Sequence, residues 1–200
     1  MLQLIVGWLL GFVSAIFAEP LRKWIYSPKL KLEFGASPEF RSRTPEEATF
    51  RQVVTVHSVH EAEYVRVRAT NIRQAVAMRC RAYLVAVERM GGNGEFQATI
   101  YCDSIPLAWS CRNEQAYDPV DLPSGVAQFI DVVSTRSQAN TSSDFRVEIK
   151  PMPYRYLDLF AQQGTFRFTI QVSGENVKPV FIKIVFGWRG IWNDYDAELG

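Results

Sequence analysis

The segment TFRFTIQVSGENVKPVFIKIVFGW, residues 165–188, is the clearest indication of the fold class. Apolar and polar residues alternate in both of its halves. The apolar set is Phe166, Phe168, Ile170 and Val172 in the first half, and Val180, Ile182, Ile184 and Phe186 in the second. This period of two is typical of strands with one buried face, and GEN between the halves (174–176) has the composition of a turn. The segment predicts an antiparallel β-hairpin.

The same alternation recurs along the chain before this hairpin. It is found in SPKLKLEFG (27–35), EAEYVRVRATN (61–71), AMRCRAYLVAVERM (77–90) and EFQATIYCD (95–103), and VAQFIDVVS (126–134) and FRVEIKP (145–151) are predicted as further strands. In the third of these segments the pattern points four side chains inward: Met78, Cys80, Ala82 and Leu84. Residues 36–50 are predicted to form a loop, and 153–164 to hold one helical turn. Eight or nine short strands without a long amphipathic helix predict an all-β fold, an antiparallel sandwich or barrel.

The first 18 residues, MLQLIVGWLLGFVSAIFA, contain no charged side chain. As a helix they would be about 27 Å long, close to the ~30 Å hydrocarbon core of a bilayer. Basic residues follow, beginning with Arg22 and Lys23, and Trp24 and Tyr26 match the aromatic belt of a membrane interface. By the positive-inside rule we expect a single-pass transmembrane anchor over residues 1–25, with its N-terminus outside. Residues 26–200 then form a cytoplasmic β-sandwich domain.

Two other interpretations of this apolar segment are open. SAIFA (14–18) could end in a signal-peptide cleavage site. A signal peptide, however, has basic residues before its apolar segment, and none precedes this one. The second alternative is a buried helix of a soluble domain, which would be unusual at the N-terminus and directly before Glu19 and Pro20. Within the predicted anchor, Gly7, Gly11 and Ala15 fall on one helix face, a pattern that favours self-association of transmembrane helices.

The segment YVRVRATNIRQAVAMRCRAYLVAVER, residues 64–89, resembles the RVxNxGxxxAxxCxxYL pattern of Ig-like (CARDB-like) β-sandwich domains in bacterial cell-surface and membrane-anchored proteins. The opening of the chain, an anchor followed by LRKW (21–24) and a strand, is similar to that of single-pass bacterial membrane proteins. Arg73 stands where the pattern has glycine, so the turn there must be built differently. The resemblance implies an Ig-like sandwich of about eight or nine strands at a bacterial inner membrane.

Arginines and tyrosines form the candidate ligand site. If residues 63–70 and 75–82 formed a hairpin, Arg66 would lie opposite Arg79, and like charges across a ladder need a counter-charge. An anionic ligand or a lipid headgroup could supply it. The candidate set is Tyr64, Arg66, Arg68, Arg79, Arg81 and Tyr83. Two alternatives remain open: Ig-like topology would place the two strands in opposite sheets, or nearby glutamates (Glu61, Glu63, Glu88) would neutralise the arginines.

Searches for catalytic and metal-binding signatures find none. The chain lacks phosphate-binding glycine loops, the G-x-S-x-G elbow and C-x-x-C. The two histidines, His57 and His60, are adjacent in HSVHE without a marked third ligand. Three cysteines fit a reducing compartment rather than a disulfide framework. We therefore expect neither a cofactor nor a metal, and no enzyme signature is visible, although a hydrolase built from distant carboxylates (Asp103, Asp118, Asp121, Asp131) stays open.

The net charge of +1 argues against a general nucleic-acid binder. With these exclusions, the chain is predicted to be a membrane-anchored binding module for a partner protein or an anionic ligand at the cytoplasmic face. Its partners would be lipid, through the anchor, and a protein, which includes a second copy of the chain. An alternative is a sensor–effector in which ligand binding by the β-domain drives association of the anchor helices, as in some bacterial defence systems.

Overall fold

The computed structural model describes residues 27–48, 58–137 and 144–200. They form two antiparallel sheets around one hydrophobic core, which confirms the predicted all-β sandwich. The predicted anchor over residues 1–25, with Gly7, Gly11 and Ala15, lies outside the described residues, as does His57. Within the described ranges, no helix is long and apolar enough to cross a membrane.

Thirteen strand segments and a few short helical turns make up the described fold. The strands are β1 (Leu30–Glu33), β2 (Arg41–Ala48), β3 (Ser58–Asn71), β4 (Ala77–Met90), β5 (Phe96–Ala98), β6 (Ile105–Pro106), β7 (Ala108–Trp109), β8 (Val120–Leu122), β9 (Ala127–Arg136), β10 (Asp144–Val147), β11 (Gly164–Gly174), β12 (Val177–Ile191) and β13 (Asp194–Leu199). The 3-10 turns are Pro38–Phe40, Asn113–Gln115 and Tyr154–Tyr156, and the last continues into a short helix, α1 (Leu157–Phe160).

The first sheet is centred on β3 and β9, which pair with each other. Along the free side of β3, β1 pairs with its C-terminal half and β2 with its N-terminal half. Along the free side of β9, β10 and β7 pair with successive parts of the strand. The second sheet has the order β13-β12-β11-β4, and β5, β6 and β8 pair with successive parts of β4. All of these pairings are antiparallel.

The hairpin predicted from residues 165–188 is confirmed as β11 and β12. Phe166 pairs with Phe186 and Ile170 with Ile182, so the alternating apolar residues of both strands face the core. Phe145 of the opposite sheet packs on this face, with its ring centroid 5.7 Å from that of Phe166 and 5.5 Å from that of Phe186. Buried aromatic side chains each remove a large apolar area from water, so this cluster stabilises the packing of the two sheets.

One short stretch joins the two sheets along an edge of the sandwich. Ile105 pairs with Leu84 in the second sheet, whereas Ala108, three residues later, pairs with Asp131 in the first. The chain after β10 lies alongside this stretch, as shown by the antiparallel bridge between Ile149 and Leu107. A strand that switches sheets closes this side of the sandwich and places the loop after β7 over the outer face of the first sheet.

Three local predictions were wrong. Met78 is 45% exposed rather than buried, because the β4–β8 register shifts between Ala77 and Cys80 and Arg79 takes a positive φ of 49°. This irregularity adds a residue between two inward-facing positions, which a strict period of two does not anticipate. The predicted loop over 36–50 contains strand β2, and the strand predicted in 95–103 is restricted to β5.

Candidate ligand-binding site

The candidate arginines lie on opposite outer faces of the sandwich. Strand β3 carries Arg66 and Arg68 in the first sheet, and β4 carries Arg79 and Arg81 in the second. The supposed hairpin with Arg66 opposite Arg79 is therefore wrong, because the residue that pairs with Arg66 is Asp131. The separation into two sheets is the alternative that the sequence left open. A role of the six residues in ligand binding stays a prediction.

Arg66 belongs to a buried polar group on the outer face of the first sheet. Its Nε donates to Asp131 Oδ1 at 2.8 Å, and the same oxygen accepts from Ser110 Oγ at 2.5 Å. The guanidinium lies 5.4 Å from the ring centroid of Tyr64, a cation–π distance. Burial raises the pKa of Asp131 above its usual range, although Ser110 and Arg66 act in the opposite direction. The negative charge is thus held in place at a desolvation cost.

Carboxylates also accompany two of the other arginines. Arg68 contacts Glu33 and Glu39, each at 3.1 Å, and lies over the ring of Phe40. On the other sheet, Arg79 Nε lies 3.1 Å from Glu175 in an exposed pair. An arginine whose charge is already matched by a carboxylate attracts an external anion less strongly.

Arg81 and Tyr83 are half-buried on the outer face of the second sheet. They pair in register with Ser173 and Gln171 of β11, so neither lies beside the Arg66 group. The structure therefore brings Tyr64 together with Arg66, and leaves these two residues of the candidate set on a separate surface.

The polar group around Asp131 continues along β9 beneath the loop after β7. Ser134 Oγ donates to Glu148, and Arg136 lies 3.7 Å from the same carboxylate. Tyr117, from the covering loop, is close enough to both acidic residues, Glu148 and Asp131, for their charges to act on it. Its burial, together with the charges of Glu148 and Asp131, raises the pKa of Tyr117 to about 12. Tyr117 is therefore a neutral hydrogen-bonding group at physiological pH.

An open cleft of about 560 Å³ lies where this polar row reaches edge strand β10 and the helix α1. One part of its wall is polar: Tyr117, Arg136, Arg146 and Glu148. The rest is apolar and includes Phe145, Ile149, Met152, Leu157 and Phe160. Lys150 adds a further cation nearby, with its ammonium 5.5 Å from the centroid of the Tyr117 ring. The volume falls in the range of small-ligand sites, which combine an apolar wall with a few polar groups.

The charges around this cleft favour an anion. Arg136, Arg146 and Lys150 are cationic, and Glu148, 3.7 Å from Arg136, offsets one of these charges, so a net positive charge remains around the cleft. Arginine forks bind carboxylate and phosphate groups in a planar, bidentate manner, and the adjacent apolar wall accommodates a hydrocarbon or aromatic group. The geometry suits a ligand that joins an anionic group to an apolar body.

A second cluster of reactive side chains surrounds Tyr156. Its hydroxyl donates to Asp103 at 2.6 Å and accepts from the backbone N–H of Cys102 at 3.3 Å, and Arg155 contacts the same aspartate. The Tyr156 hydroxyl and the Arg155 guanidinium hold the pKa of Asp103 below its usual range. These hydrogen bonds attach the loop before β6 to the 3-10 turn at Tyr154–Tyr156. The rings of Tyr101 and Tyr156 also pack against each other there, at a centroid distance of 4.8 Å.

Three of the four carboxylates of the hydrolase alternative bind separate partners. Asp103 binds Tyr156, Asp131 binds Arg66, and Asp121 accepts from the backbone N–H of Arg79 at 2.7 Å. Among the residues that the structure describes, no group of three histidine, cysteine, aspartate or glutamate residues could hold a metal ion. His60 lies in β3, and its side chain is outside the description.

Sequence reasoning missed the cleft residues. Tyr117 comes from a loop, Arg136 from the end of β9, and Arg146 from β10, so no spacing in the sequence connects them. The one local signal was the alternation in FRVEIKP, which places Arg146 and Glu148 on the same, polar face of β10. Compared with models of known protein families and with curated protein sequences, the chain matches none of them.

Proposed function

We propose that this protein is a membrane-anchored binding module, in which an Ig-like sandwich at the cytoplasmic face of a bacterial inner membrane recognises an anionic group. The binding site is the cleft beside β10 and α1. The anion is either part of a small molecule with an apolar body or an acidic side chain of a partner protein. The anchor over residues 1–25 concentrates the module at the bilayer surface.

The composition of the cleft wall carries this proposal. Arg136 and Arg146 supply two guanidinium groups on one part of the wall, and Met152 and Leu157 supply apolar surface on another. Leu157 is 46% exposed although it is apolar, so it is available to cover a ligand. Arg136 is held at the cleft beside Glu148, 3.7 Å away.

Ligand-observed NMR of the full chain in lipid nanodiscs tests the proposal, with 4-phenylbutyrate as the probe and the uncharged 4-phenylbutyramide as its matched analogue. The carboxylate should bind at least about tenfold more tightly than the amide, a difference of about 1.4 kcal/mol. Arg146→Glu should abolish carboxylate binding, because Arg146 is exposed on β10 and lines the cleft. Lys183→Glu is the control, because it reverses an exposed cation on β12, in the other sheet.

The two sources of the anion are separated by competition with a peptide rich in aspartate and glutamate. Displacement of phenylbutyrate by the peptide identifies an acidic protein segment as the ligand class, and retention of phenylbutyrate identifies a small molecule. Equal affinity for the carboxylate and the amide, or binding unchanged by Arg146→Glu, would overturn the assignment of the cleft.

A further inference from the structure

Four large apolar side chains are half-exposed at one end of the sandwich. Ile72 is 49% exposed, Met78 45%, and Val76 and Val126 43% each. They belong to the β3–β4 turn, the start of β4 and the β8–β9 turn. We call these four residues the proximal tip. Single exposed apolar residues are ordinary, but a group of them on adjoining turns indicates a contact surface.

Hydrogen bonds hold the proximal tip in a defined shape. Asn176, in the β11–β12 turn, accepts from the Met78 N–H at 2.8 Å and donates to the Val76 carbonyl at 2.9 Å. The backbone N–H of Asn71 donates to the carbonyl of Val126 at 3.4 Å. The apolar side chains therefore project from turns that are fastened to one another, and their exposure is part of the fold.

The described chain enters the domain at this same end. The N–H of Ile72 donates to the carbonyl of Lys29 at 2.9 Å, only two residues after the first described residue, Ser27. In the proposed anchor, Trp24 and Tyr26 form the aromatic belt at the membrane interface. Three residues of chain from Trp24 to Ser27 extend at most about 10 Å. An anchor that ends at these aromatic residues therefore holds the proximal tip at the bilayer surface.

Basic side chains surround the tip. Lys29 and Arg73 lie beside the point where the described chain enters the domain. Arg79 and Lys178 lie near the first residues of β4 and β12. Two acidic residues, Asp121 and Glu175, lie at the same end, where they contact Arg79. Apolar residues ringed by excess cations suit an anionic bilayer surface, because the cations meet lipid phosphates while the apolar groups enter the interface.

We propose that the proximal tip docks onto the cytoplasmic surface of the bilayer that holds the anchor. This inference rests on the proposed membrane anchorage. The docking sets the orientation of the domain relative to the membrane. Strand β9 runs about 30 Å from Ala127, near the tip, to Arg136, at the cleft, so the cleft lies on the side away from the bilayer. The sandwich stands on the membrane with its binding cleft raised clear of the lipid and open to the cytoplasm.

Site-specific fluorescence quenching of the full chain in vesicles of phosphatidylcholine and phosphatidylglycerol tests the docking. Cys102 and Cys111 are exposed, so both are replaced by serine and a single cysteine is introduced for an NBD label. The tip positions are Ile72→Cys and Val126→Cys. The matched control is Ile191→Cys, which is 54% exposed and lies at the far end of β12, roughly 45 Å from the tip.

Labels at positions 72 and 126 should show blue-shifted emission and strong quenching by a nitroxide carried on the lipid headgroup, and the label at position 191 should show neither. Met78→Glu should weaken the quenching at position 126 severalfold. A chain that stays with vesicles through an alkaline carbonate wash, but has all three labels unquenched, would overturn the docking and leave the anchor intact. A chain that the wash removes would overturn the anchor and the docking together.

Discussion

The side-chain amide of Asn71 donates a hydrogen bond to the carbonyl of Leu122 at 2.9 Å, across 51 residues of chain. The same amide nitrogen donates to Ala75 at 2.6 Å, and the side-chain oxygen accepts from the backbone N–H groups of Arg73 and Lys29 at 3.2 and 3.4 Å. The bond to Arg73 makes an Asx turn, so the turn needs no glycine at position 73. One buried side chain thus joins β1, the β3–β4 turn and β8.

Asn71→Ala should destabilise the fold by about 2–3 kcal/mol, because it leaves the carbonyls of Leu122 and Ala75 without their donor in a buried place. Chemical denaturation of the full chain would measure this. Asn93→Ala is the matched control. Asn93 is exposed and bonds only locally to Glu95, so its loss should change the unfolding free energy by less than about 0.5 kcal/mol. Equal effects of the two substitutions would contradict the role assigned to Asn71.

Gly174→Ala should destabilise the sandwich by about 1–3 kcal/mol, because the backbones of β11 and β4 approach closely there. A Cβ at position 174 would lie 2.6 Å from the carbonyl oxygen of Met78 and 3.1 Å from Cys80 Sγ. Gly92→Ala is the control, because a Cβ there meets nothing within 4 Å. Thermal unfolding compares the two. A melting temperature equally unaffected in both variants would show that β4 can move away at no cost.

Arg66→Met should cost about 2–4 kcal/mol near pH 7, because it leaves Asp131 charged, buried and without its ion pair. Without the guanidinium the pKa of Asp131 rises further. A carboxyl whose pKa is higher in the folded than in the unfolded state binds its proton more tightly when folded. The deficit should therefore shrink as the pH falls toward the folded-state pKa of Asp131. Denaturation at about pH 7 and about pH 4.5 measures the change.

Arg68→Met provides the comparison for Arg66→Met. Its partners Glu33 and Glu39 are more exposed than Asp131, so solvent screens the loss and the cost should stay below about 1 kcal/mol. A deficit at Arg66 that is independent of pH would contradict the assignment of Asp131 as the titrating group.

Glu88→Gln should weaken the acid dependence of stability. Glu88 accepts two hydrogen bonds from Arg167 on the neighbouring strand, at 2.7 and 2.6 Å, which lower the pKa of Glu88 below its ordinary value of 4.5. The pair contributes stability above that value and loses it as the pH falls through the lowered pKa. The wild type should lose about 1 kcal/mol more than Glu88→Gln between about pH 6 and pH 3. Parallel pH profiles of the two proteins would disprove this contribution.

Much of the fold could be read from alternation alone. The period of two in residues 165–188 predicted the β11–β12 hairpin, and it also separated Val65 and Val67, which are buried, from Tyr64 and Arg66 on the outer face. Such patterns are reliable because burial of one strand face imposes them directly on the residues. The pattern failed at Met78, where the register of β4 shifts.

Alternation in the sequence was enough to identify the long strands β3, β4, β11 and β12 and, apart from the irregularity at Met78, the side of each that faces the core, because burial of one face imposes the pattern. Which strands share a sheet became visible in three dimensions alone, because a period of two shows that one face is buried and does not identify the neighbouring strand. For this reason the residue that pairs with Arg66 could not be identified from the sequence, and in the structure it is Asp131. The cleft depends on the same arrangement, because Tyr117, Arg136 and Arg146 line one wall only when a loop, β9 and β10 are brought together in space.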